Sequence, residues 1–524
     1  MTNQDRHKEQ AYLPRQARNK LRSLEELGVI SQNAKLEGKK VVLCHGVFDL
    51  LHMGHVKHLE AARREGNLLI VTVTADEYVN KGPGRPVFPE QLRAEMLGSV
   101  EYVDWVGINH SPTAEEVLKE IKPNVYIKGG DYKDSSDDVT GNISAEQEAV
   151  EKNGGKLIFT DEITFSSSAL INQYLGIYEP TLQQYLDRYR NSDAGRKVFE
   201  ALELIKDKKI LFIGDAIIDE YQYVEPMGKS AKENMIATLF QESEIFAGGV
   251  FAAANHVAAF CEHVELITAF GSYDSYEELA IECLKPNVKM HKIYRKEAPT
   301  TRKCRFVDTG YSMRKLFEIY FMDDSPLHEE TESELNEIIQ SRIKEVDIVI
   351  VTDFGHGLLN QRTIELLNEK SPFLAVNAQS NSANHGFNLI SKYRNADYIC
   401  IDGPEARLAV HDKYAPLEEI LTRYLPEIID CPKMIITQGK RGCLAFDKAL
   451  GLSKVPALTT TITDTVGAGD AFFSLTAPLV ASGVPMETVG FIGNAVGAMK
   501  VAIVGHRSSV EKVPLIKFLN ALLK

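Results

Sequence analysis

The sequence lacks three features: an excess of basic residues, paired cysteines and long apolar runs. Its formal net charge is −14, from 59 Lys and Arg against 73 Asp and Glu, which argues against a nucleic-acid groove or an anionic membrane surface as the partner. The cysteines are scattered and number seven, so we expect reduced core residues instead of disulfides or metal ligands. The absence of an apolar leader and of any run of bilayer length predicts a cytoplasmic protein.

The sequence is long, and segments with strand-like and helix-like patterns alternate along it. Its 524 residues exceed what one hydrophobic core accommodates, so we expect more than one domain. After a polar helical lead-in over 1–38, in which Ser23 and Glu26 have capping-box spacing, short β-branched runs alternate with amphipathic segments. That alternation predicts an α/β domain over 39–175 with a parallel sheet covered by helices. The predicted strands are Val41–Leu43, Leu68–Val73, Tyr102–Val106, Val125–Ile127 and Lys156–Phe159.

A cluster of histidines follows the first of these runs. The turn reads His45-Gly-Val-Phe-Asp-Leu-Leu-His-Met-Gly-His55, and the apolar spacing after it predicts a helix. His52 and His55 therefore stand at a helix start, where unpaired N–H groups and the helix dipole favour an anion. Two imidazoles beside such a pocket suit a polyphosphate whose charge shifts during a reaction.

Two other interpretations of this stretch stay open. His45, His52, His55 and His58 could form a metal cluster, although no Cys or carboxylate is spaced to complete a tetrahedral set. They could also be surface histidines on an ordinary βα unit.

Three later loops add further candidates for phosphate binding. They are Lys81-Gly-Pro-Gly-Arg-Pro86 with two cations, Lys128-Gly-Gly-Asp-Tyr132 after a strand, and Thr164-Phe-Ser-Ser-Ser-Ala-Leu-Ile171, which is typical of a helix start. Taken singly, the first is also compatible with an exposed basic turn and the last with a plain N-cap. Because the carboxyl ends of parallel strands meet at one edge of a sheet, we expect ligands to bind there.

Together these loops resemble the cytidylyltransferase-like nucleotidyltransferases, through the His-x-Gly-His signature, and in particular the nucleotidyltransferase half of the bifunctional heptose kinase and adenylyltransferase of ADP-heptose biosynthesis. The resemblance covers Leu24 to Ile171. It implies a doubly wound, Rossmann-like α/β fold for this domain. It also implies that a sugar-phosphate oxygen attacks the α-phosphorus directly, that pyrophosphate leaves, and that Mg²⁺ shields the charge. It implies catalytic roles for His52, His55 and Lys81. The implied nucleotide-binding residues are Gly46, Phe48, Lys128, Gly129, Asp131, Ser166, Ser167 and Ser168.

A second α/β domain is predicted over 209–524, after a polar helical linker over 176–208. The strand Lys209-Ile-Leu-Phe-Ile-Gly-Asp-Ala-Ile-Ile-Asp219 ends in two acids, which suit hydrogen bonds to sugar hydroxyls. A glycine pair follows in Phe246-Ala-Gly-Gly-Val-Phe-Ala-Ala-Ala-Asn-His256, and by itself it is also compatible with close helix packing. In Thr463-Asp-Thr-Val-Gly-Ala-Gly-Asp-Ala-Phe-Phe473, successive N–H groups at a helix start predict an anion hole beside Asp470.

This second half resembles the ribokinase (PfkB) family of sugar kinases from Lys209 onward. The resemblance implies a ribokinase-like fold, ATP as the phosphoryl donor, and Asp470 as the base that deprotonates the sugar hydroxyl. Two more segments, Asp353-Phe-Gly-His-Gly357 and Pro299-Thr-Thr-Arg-Lys303, resemble the loop beneath the sugar and the strand around it. The implied sugar-binding residues are Asp215, Asp219, Gly248, Gly249 and Asn255, with Mg²⁺ held indirectly near Glu405. The implied nucleotide-binding residues are Thr437, Gly439, Gly442, Gly467, Ala468 and Gly469.

The sequence departs from the heptose kinases in three places, one of which is Ser230-Ala-Lys-Glu-Asn234, a stretch without the prolines expected there. Asp402-Gly-Pro-Glu405 stands where they carry Asn-x-x-Glu, and Asn377-Ala-Gln-Ser380 stands where they carry Asp-Pro-Lys-Gly. The domain order is also the reverse of the fused heptose enzyme. We expect a homodimeric bifunctional enzyme that acts on nucleoside triphosphates and a sugar or sugar phosphate, with ATP favoured over CTP in the N-terminal half. The alternatives are a nucleotidyltransferase with a non-catalytic kinase-like module and a sugar sensor without enzymatic activity.

Overall fold

The computed structural model describes residues 15–129, 142–160, 167–230, 232–310, 313–459 and 461–524. The chain divides into two compact units, the first comprising Met1–Glu179 together with Ile516–Lys524 and the second comprising Pro180–Leu515. This division differs from the predicted domains in two ways. Most of the helical linker over 176–208 belongs to the second unit, and the last residues of the chain return to the first.

The strands are numbered in chain order. They are β1 (Val41–Gly46), β2 (Leu68–Thr74), β3 (Trp105–Asn109), β4 (Val125–Gly129), β5 (Lys156–Thr160), β6 (Lys209–Gly214), β7 (Ala216–Lys229), β8 (Ile236–Gly248), β9 (His263–Tyr273), β10 (Val288–Pro299), β11 (Thr301–Asp308), β12 (Arg314–Phe321), β13 (Ile348–Asp353), β14 (Leu374–Ala378), β15 (Tyr398–Asp402), β16 (Lys433–Thr437), β17 (Cys443–Asp447) and β18 (Gly451–Val455).

The α-helices are named here by their bounds. In the first unit they are Arg15–Asn19, Leu24–Leu36, Met53–Arg64, Glu90–Gly98, Glu115–Ile121, Asn142–Lys152 and Ser167–Tyr174. Those that follow are Pro180–Arg190, Asp193–Arg196, Val198–Glu203, Gly249–Ala258, Glu277–Cys283, Glu329–Arg342, Gln361–Lys370, Gly403–Ala409, Leu417–Glu419, Leu425–Ile428, Ala468–Ala481, Met486–Lys500 and Lys512–Leu523.

The first unit is built on one parallel sheet with the strand order β3-β2-β1-β4-β5. Alternate residues of β1 face opposite sides: Val42 and Cys44 pack into one core cluster, and Val41 and Leu43 into another. Because both faces are buried, the strand is a continuous apolar run. The order reverses between β1 and β4, which is where a doubly wound sheet binds its ligand. The predicted doubly wound fold is confirmed.

One strand of this sheet is shifted from its predicted position. Tyr102–Val106 was the expected run, but β3 covers Trp105–Asn109 and pairs with β2 from Ile70 opposite Trp105. Val103 is buried in a turn before the strand, and its N–H donates to Val100 O at 3.2 Å. The apolar character of this run thus reflects a buried turn, which local periodicity does not distinguish from a strand.

The second unit contains two sheets. The larger has the order β10-β9-β6-β13-β14-β15-β16-β17-β18, parallel except for β17 and β18. The smaller has the order β12-β11-β7-β8. Asp215 stands between β6 and β7, where the chain passes from the large sheet to the small one. The strand order of the large sheet reverses at β6, so Asp215 emerges at the expected ligand edge.

Three local predictions can be compared with the structure. Ser23 caps the helix Leu24–Leu36: its Oγ accepts the Glu26 N–H at 3.2 Å, and the Glu26 carboxylate accepts the Ser23 N–H at 2.9 Å, so the capping box is confirmed. All seven cysteines are free, and all but Cys283 are buried. Within the described ranges, no helix has the length and apolarity of a membrane span.

The last residues of the chain complete the first unit. Asn172 Nδ2 donates to Ala521 O at 2.8 Å, and both residues are buried. Leu522 is fully buried, and its Cδ2 lies 3.4 Å from the position that a Cβ on Gly82 would take. The helix Lys512–Leu523 therefore begins in the second unit and ends in the first.

Leu522→Ala removes a fully buried side chain, so we expect the first unit to lose about 2–5 kcal/mol of unfolding free energy. Trp105, the sole tryptophan of the sequence, lies in this unit, and its fluorescence during urea denaturation reports that unit alone. Leu450→Ala is the matched control, because Leu450 lies in the second unit and is 81% exposed. An unchanged midpoint for Leu522→Ala would mean that the end of the chain does not support the first unit.

Candidate active sites

The histidine loop lies where β1 ends and the helix Met53–Arg64 begins. His52 caps this helix, since its Nδ1 accepts the Gly54 N–H at 3.1 Å. Because Nδ1 accepts a hydrogen bond, the ring proton of neutral His52 sits on Nε2, which lies 3.3 Å from Ser167 Oγ. The predicted helix start at His52 is confirmed, and the fold brings the serine-rich helix start to it.

His55 stacks on His52, with ring centroids 4.0 Å apart and planes inclined by 25°. Burial, followed by the proximity of His52 and His58, lowers the pKa of His55 to about 3. Burial also lowers the pKa of His52. At neutral pH both rings are therefore uncharged, so they can stand side by side and offer N–H groups to a phosphate without repelling each other.

The other two histidines of the loop are used within the fold. One ring nitrogen of His45 lies 2.9 Å from Thr72 Oγ1, and one of His58 lies 2.9 Å from Thr160 Oγ1. Within the described ranges, no group of three His, Cys, Asp or Glu side chains is placed to hold a metal ion. His45 and His58 thus each have one ring nitrogen beside a threonine hydroxyl within the fold.

The backbone of the same loop is strained at Phe48, which has a φ of 48°, a left-handed value that large residues rarely adopt. The Phe48 ring is buried and its centroid lies 5.2 Å from that of His55. A Cβ on Gly46 would lie 3.2 Å from this ring. Gly46 and Phe48 therefore fix the position of His55, and their contact with a nucleotide stays a prediction.

A buried ion pair joins the loops of this site. The Arg85 guanidinium pairs with Asp49, and neither side chain is exposed. Arg85 Nη2 also donates to Ser168 Oγ at 3.2 Å, while its buried Nη1 has no hydrogen-bond partner in the described part of the chain. One guanidinium thus links the histidine loop, the glycine-proline turn and the serine-rich helix, and it keeps one donor for an anion.

Lys81 opens the same glycine-proline turn. Burial, and after it the Arg85 guanidinium, lowers the pKa of Lys81 to about 8. An anion that binds beside this ammonium group would raise the pKa of Lys81 again, because the opposite charge favours the protonated form. Lys81 thus lies near His55 and Arg85, and its contact with a triphosphate stays a prediction.

The remaining predicted residues of this half are only partly described. Lys128 lies at the end of β4, beside β1, and its ammonium pairs with the buried Glu146 at 2.8 Å. Lys128 and Gly129 are thus at the ligand edge of the sheet, with the Lys128 charge already engaged. Asp131 and Ser166 lie outside the described residues.

The second unit contains a cavity of about 430 Å³, which is in the size range of small-molecule sites. It is formed by β7, β11, β12 and the start of the helix Ala468–Ala481, together with the loops that follow β13 and β14. Its polar and charged lining residues are Asp219, Lys303, Arg305, Glu318, Gln379, Ser380, Asn381, Ser382, His385, Asp470 and His506.

Asp470 lies in the first turn of the helix Ala468–Ala481, after Gly467 with a left-handed φ of 73°. A Cβ on Gly467 would lie 2.6 Å from His506 Cε1, so only glycine fits there. The Asp470 carboxylate is buried and its Oδ1 accepts a hydrogen bond from Gln379 Nε2 at 2.6 Å. Burial raises the pKa of Asp470, which moves the carboxylate toward the range that suits a general base.

The two predicted sugar-binding acids have different surroundings. Asp215 Oδ2 accepts the Phe354 N–H at 2.9 Å, and burial followed by the charge of Asp353 raises the pKa of Asp215 to about 6. Asp219 lines the cavity. Burial raises its pKa, but the Arg305 guanidinium and His506 outweigh burial and hold the pKa well below its usual range. Asp219 is therefore an ionised acid of the cavity, whereas Asp215 accepts a backbone N–H of the loop that follows β13.

The glycine pair and Asn255 were predicted to join these acids. Gly249 lines the cavity, and a Cβ on Gly248 would lie 2.0 Å from Asp219 Oδ2. Asn255 is used elsewhere: its amide donates to Cys283 O at 2.8 Å and accepts the Lys285 N–H at 2.9 Å. The structure therefore corrects the prediction for Asn255, whose side chain braces the turn at 283–285.

The family model of pfkB carbohydrate kinases matches residues 207–513, more than half of the chain. The chain belongs to the pfkB family of carbohydrate kinases. The cytidylyltransferase-like family model matches residues 43–173. The protein thus joins an N-terminal cytidylyltransferase-like domain to a C-terminal pfkB kinase domain, as the resemblance implied.

Curated relatives match the N-terminal domain. The bifunctional protein HldE of Alcanivorax borkumensis is 40% identical over 144 residues, which is 26% of this chain and 29% of that protein. The bifunctional protein HldE of Nitratiruptor sp. is 44% identical over 115 residues, 22% of this chain and 25% of that protein. The matched segments thus span less than one third of these relatives.

Solved structures resemble the kinase domain. A ribokinase from Thermotoga maritima has a TM-score of 0.47 and 19% identity, covering 60% of this chain and 99% of that one. Phosphofructokinase-2 from Escherichia coli has a TM-score of 0.48 and 16% identity, covering 60% of this chain and 100% of that one.

Asp402, which stands where the heptose kinases carry Asn, caps the helix Gly403–Ala409 of the kinase domain. Asp402 Oδ1 accepts the Glu405 N–H at 2.7 Å, and the Glu405 carboxylate accepts the Asp402 N–H at 2.8 Å. Asp and Asn are about equally good N-caps, so the exchange of amide for acid keeps the local structure. Burial, and after it the charge of Asp402, raises the pKa of Glu405 to about 8.

The predicted nucleotide loop lies beside this cap, because Thr437 at the end of β16 pairs in register with Asp402. In the following turn the Gln438 N–H donates to Gly442 O at 2.7 Å. Among the residues that the structure describes, no heavy atom of another segment lies within 4 Å of a Cβ built on Gly439 or on Gly469. The turn at Gly439 and the helix start at Gly469 therefore both have open backbone. Nucleotide binding stays a prediction for Thr437, Gly439, Gly442, Gly467, Ala468 and Gly469.

Several cavity residues of the kinase domain, among them Gln379, Arg305 and His506, are not among those predicted from the sequence. Gln379 lies in the segment Asn377-Ala-Gln-Ser380, which differs from the heptose kinases. That difference could have marked Gln379 as a residue of the site. Arg305 follows Lys303 by two positions, which places both on one face of β11. His506 lies in a glycine-containing polar loop after an apolar helix, and no local pattern connects it to Asp219.

We expect kcat/KM for nucleotide-dependent pyrophosphate release to decline as the pH rises through about 8, because Lys81 loses its proton there in the unliganded protein. The decline should be weaker in kcat, since bound phosphates raise the pKa of Lys81. Lys81→Arg keeps its charge at every pH tested and should lack the alkaline decline. A wild-type profile that stays level above this pH would show that the charge of Lys81 is not required.

Proposed function

We propose that this protein is a bifunctional enzyme of nucleotide-sugar synthesis. Its kinase domain phosphorylates a sugar phosphate, and its N-terminal domain converts a sugar 1-phosphate into a nucleoside-diphosphate sugar of the ADP-heptose type. The two family matches and the relatives named bifunctional protein HldE support this proposal. The observation that carries it is the buried Asp470 beside the left-handed Gly467 helix start. We retain the predictions of a cytoplasmic location and a homodimer.

In the kinase reaction, the sugar hydroxyl oxygen bonds to the γ-phosphorus of ATP, its proton passes to Asp470, and ADP leaves. Gln379 holds the Asp470 carboxylate through the 2.6 Å hydrogen bond to Oδ1, which leaves Oδ2 for the substrate. The N–H groups of Ala468, Gly469 and Asp470 at the helix start stabilise the charge on the transferring phosphoryl group.

Two cations, Lys303 and Arg305, line the cavity together with the acids Asp219, Glu318 and Asp470. Arg305 is paired with Asp219 and Glu318. Lys303 is 6% exposed, and its ammonium lies over the rings of Tyr320 and Phe354, at 5.4 and 5.9 Å, without an acidic partner among the described residues. A buried ammonium in this setting suits an anionic substituent on the sugar. If that substrate is a heptose 7-phosphate, the kinase adds a phosphate at C1, and a separate phosphatase must remove the one at C7.

In the nucleotidyl transfer, an oxygen of the sugar 1-phosphate attacks the α-phosphorus of the nucleoside triphosphate, and pyrophosphate leaves. His52 and His55 donate to the phosphate oxygens as negative charge builds at phosphorus, while Lys81 and Arg85 neutralise the leaving pyrophosphate. Ser167 and Ser168 stand within reach of His52 and Arg85 and complete the cradle. Catalysis then rests on positioning and electrostatics, without a covalent intermediate.

Mg²⁺ would accompany the nucleotide in both reactions, and the kinase domain offers a fitting place for it. Asp402 and Glu405 present carboxylate oxygens, which Mg²⁺ prefers. Burial and the neighbouring charge of Asp402 raise the pKa of Glu405, and a bound cation would oppose this shift. The Glu405 oxygens already accept N–H groups of Ser380 and Asp402, so Glu405 would hold the ion through water. The ion would neutralise charge on the transferring phosphates.

A substrate panel tests the assignment. With a heptose 1-phosphate as acceptor, the N-terminal domain should release more pyrophosphate from ATP than from CTP, GTP or UTP. With ATP as donor, the kinase domain should turn over a phosphorylated heptose faster than the same sugar without its phosphate, because Lys303 lies buried in the cavity. A clear preference for CTP would contradict the adenylyl assignment, and equal rates for both sugars would contradict the sugar-phosphate assignment.

We expect the two activities to be separable by single substitutions. Asp470→Asn keeps the shape of the side chain and removes the base, so sugar phosphorylation should fall by roughly 10² to 10⁴. His55→Ala removes a donor aimed at the phosphates, so nucleotidyl transfer should fall by about 10² to 10³. Each variant should keep the other half-reaction near the wild-type rate.

Each variant is the control for the other, with folding checked by thermal melting and both half-reactions measured on the same preparation. If Asp470→Asn leaves sugar-dependent ATP turnover unchanged, the kinase assignment fails. The C-terminal domain would then be a non-catalytic sugar-binding module.

A further inference from the structure

Lys500 is a fully buried lysine with no role in the sites described above. It is the last residue of the helix Met486–Lys500, and none of its surface is exposed. Lysines are rarely buried without an acidic partner, yet the Lys500 ammonium forms no ion pair with any residue in the described ranges. It donates instead to two backbone carbonyl oxygens, Val466 O at 2.9 Å and Gly505 O at 2.7 Å.

These carbonyls belong to two loops of the kinase cavity. Val466 immediately precedes Gly467, Gly505 immediately precedes His506, and Val466, Gly467 and His506 all line the cavity. Lys500 Cε lies 3.4 Å from the position that a Cβ on Gly467 would take. One ammonium therefore ties the start of the anion-hole helix to the loop that carries His506.

The charges around Lys500 balance it at longer range. The Asp464 carboxylate accepts the Gly505 N–H at 2.8 Å and the Lys315 ammonium at 2.6 Å. Burial lowers the pKa of Lys500, while the charges of Asp464, Asp470 and Asp219 oppose this decrease. The ammonium is thus solvated by carbonyl oxygens at contact and balanced by acids beyond them.

We propose that Lys500 is a built-in cation of the kinase site. Its ammonium, coordinated by carbonyl oxygens behind the anion hole, positions Gly467 and His506 and adds a fixed positive charge near the transferring phosphate. This inference rests on the proposed kinase function. Lys500 acts through Gly467 and His506, so it is a positioning residue.

The carbonyl contacts make a direct test possible. Carbonyl oxygens can replace the hydration shell of K⁺, and they bind a lysine ammonium through the same lone pairs. Removal of the side chain leaves two buried carbonyls without a partner, which is costly. A small monovalent cation from solution can then take the place of the ammonium.

In choline chloride, Lys500→Ala should lower kcat for sugar phosphorylation by roughly 10²-fold, as expected for a displaced catalytic helix start. Replacement of choline chloride by KCl or NH₄Cl at constant ionic strength should restore much of this loss. Lys500→Met should lose activity without recovery, because its side chain occupies the space that a cation needs. The wild-type rate should not change among the three salts.

Lys315→Ala is the matched control, since it removes another lysine beside Asp464, one that binds a carboxylate and not carbonyls. Any loss that it causes should not respond to K⁺ or NH₄⁺. Nucleotidyl transfer, measured on the same preparations, should be unchanged in all three variants. If Lys500→Ala keeps its kcat in choline chloride, or if the folded variant gains nothing from either cation, the inference is wrong.

Thermal melting separates this inference from the kinase assignment. K⁺ should raise the melting temperature of Lys500→Ala and leave that of the wild type unchanged, whether or not the variant is active. Absence of this stabilisation would overturn the inference even if the variant is too unstable for assays. If the wild type shows no sugar-dependent ATP turnover, the kinase assignment fails, and a positive melting result would still assign the cation site.

Discussion

Both sites depend on one constraint: the first backbone N–H groups of a helix have no partner within the helix. A parallel sheet places such helix starts at the carboxyl ends of its strands. In the N-terminal domain this start follows β1, and His52 caps it. In the kinase domain it follows Gly467, and Asp470 lies in its first turn. The two sheets therefore present unpaired backbone N–H groups in the same way, and in the proposed function the side chain beside each helix start decides which reaction follows.

Burial sets the charge state of the groups around these helix starts. It lowers the pKa of His55 and Lys81 and raises the pKa of Asp470 and Glu405. Each shift favours the neutral form, so groups that would repel one another can be held close together. Binding of phosphates or of a cation favours the charged forms again. Burial lowers the pKa of Lys500 as well, but two carbonyl oxygens accept its hydrogen bonds and the charges of nearby acids oppose the decrease.

The scaffold was predictable from the sequence wherever local periodicity and turns define it. The strands of the N-terminal sheet were predicted at their observed positions except β3, whose apolar lead-in Tyr102 and Val103 belongs to a turn. The capping box at Ser23 requires only a three-residue spacing, and it is present as predicted. Asn255 shows the limit of motif reasoning, since its amide holds a neighbouring turn and not a ligand.

The sequence by itself determined the two domain families and the helix starts at His52 and Gly467, because contiguous motifs encode local backbone geometry. Only the tertiary structure decided which distant side chains support those motifs. Gln379 on Asp470, Arg85 on Asp49, and Lys500 beneath Gly467 each join segments that are far apart in the chain. The return of the last residues to the first unit is of the same kind. Such contacts arise from the packing of whole sheets and helices, and no spacing within one segment records them.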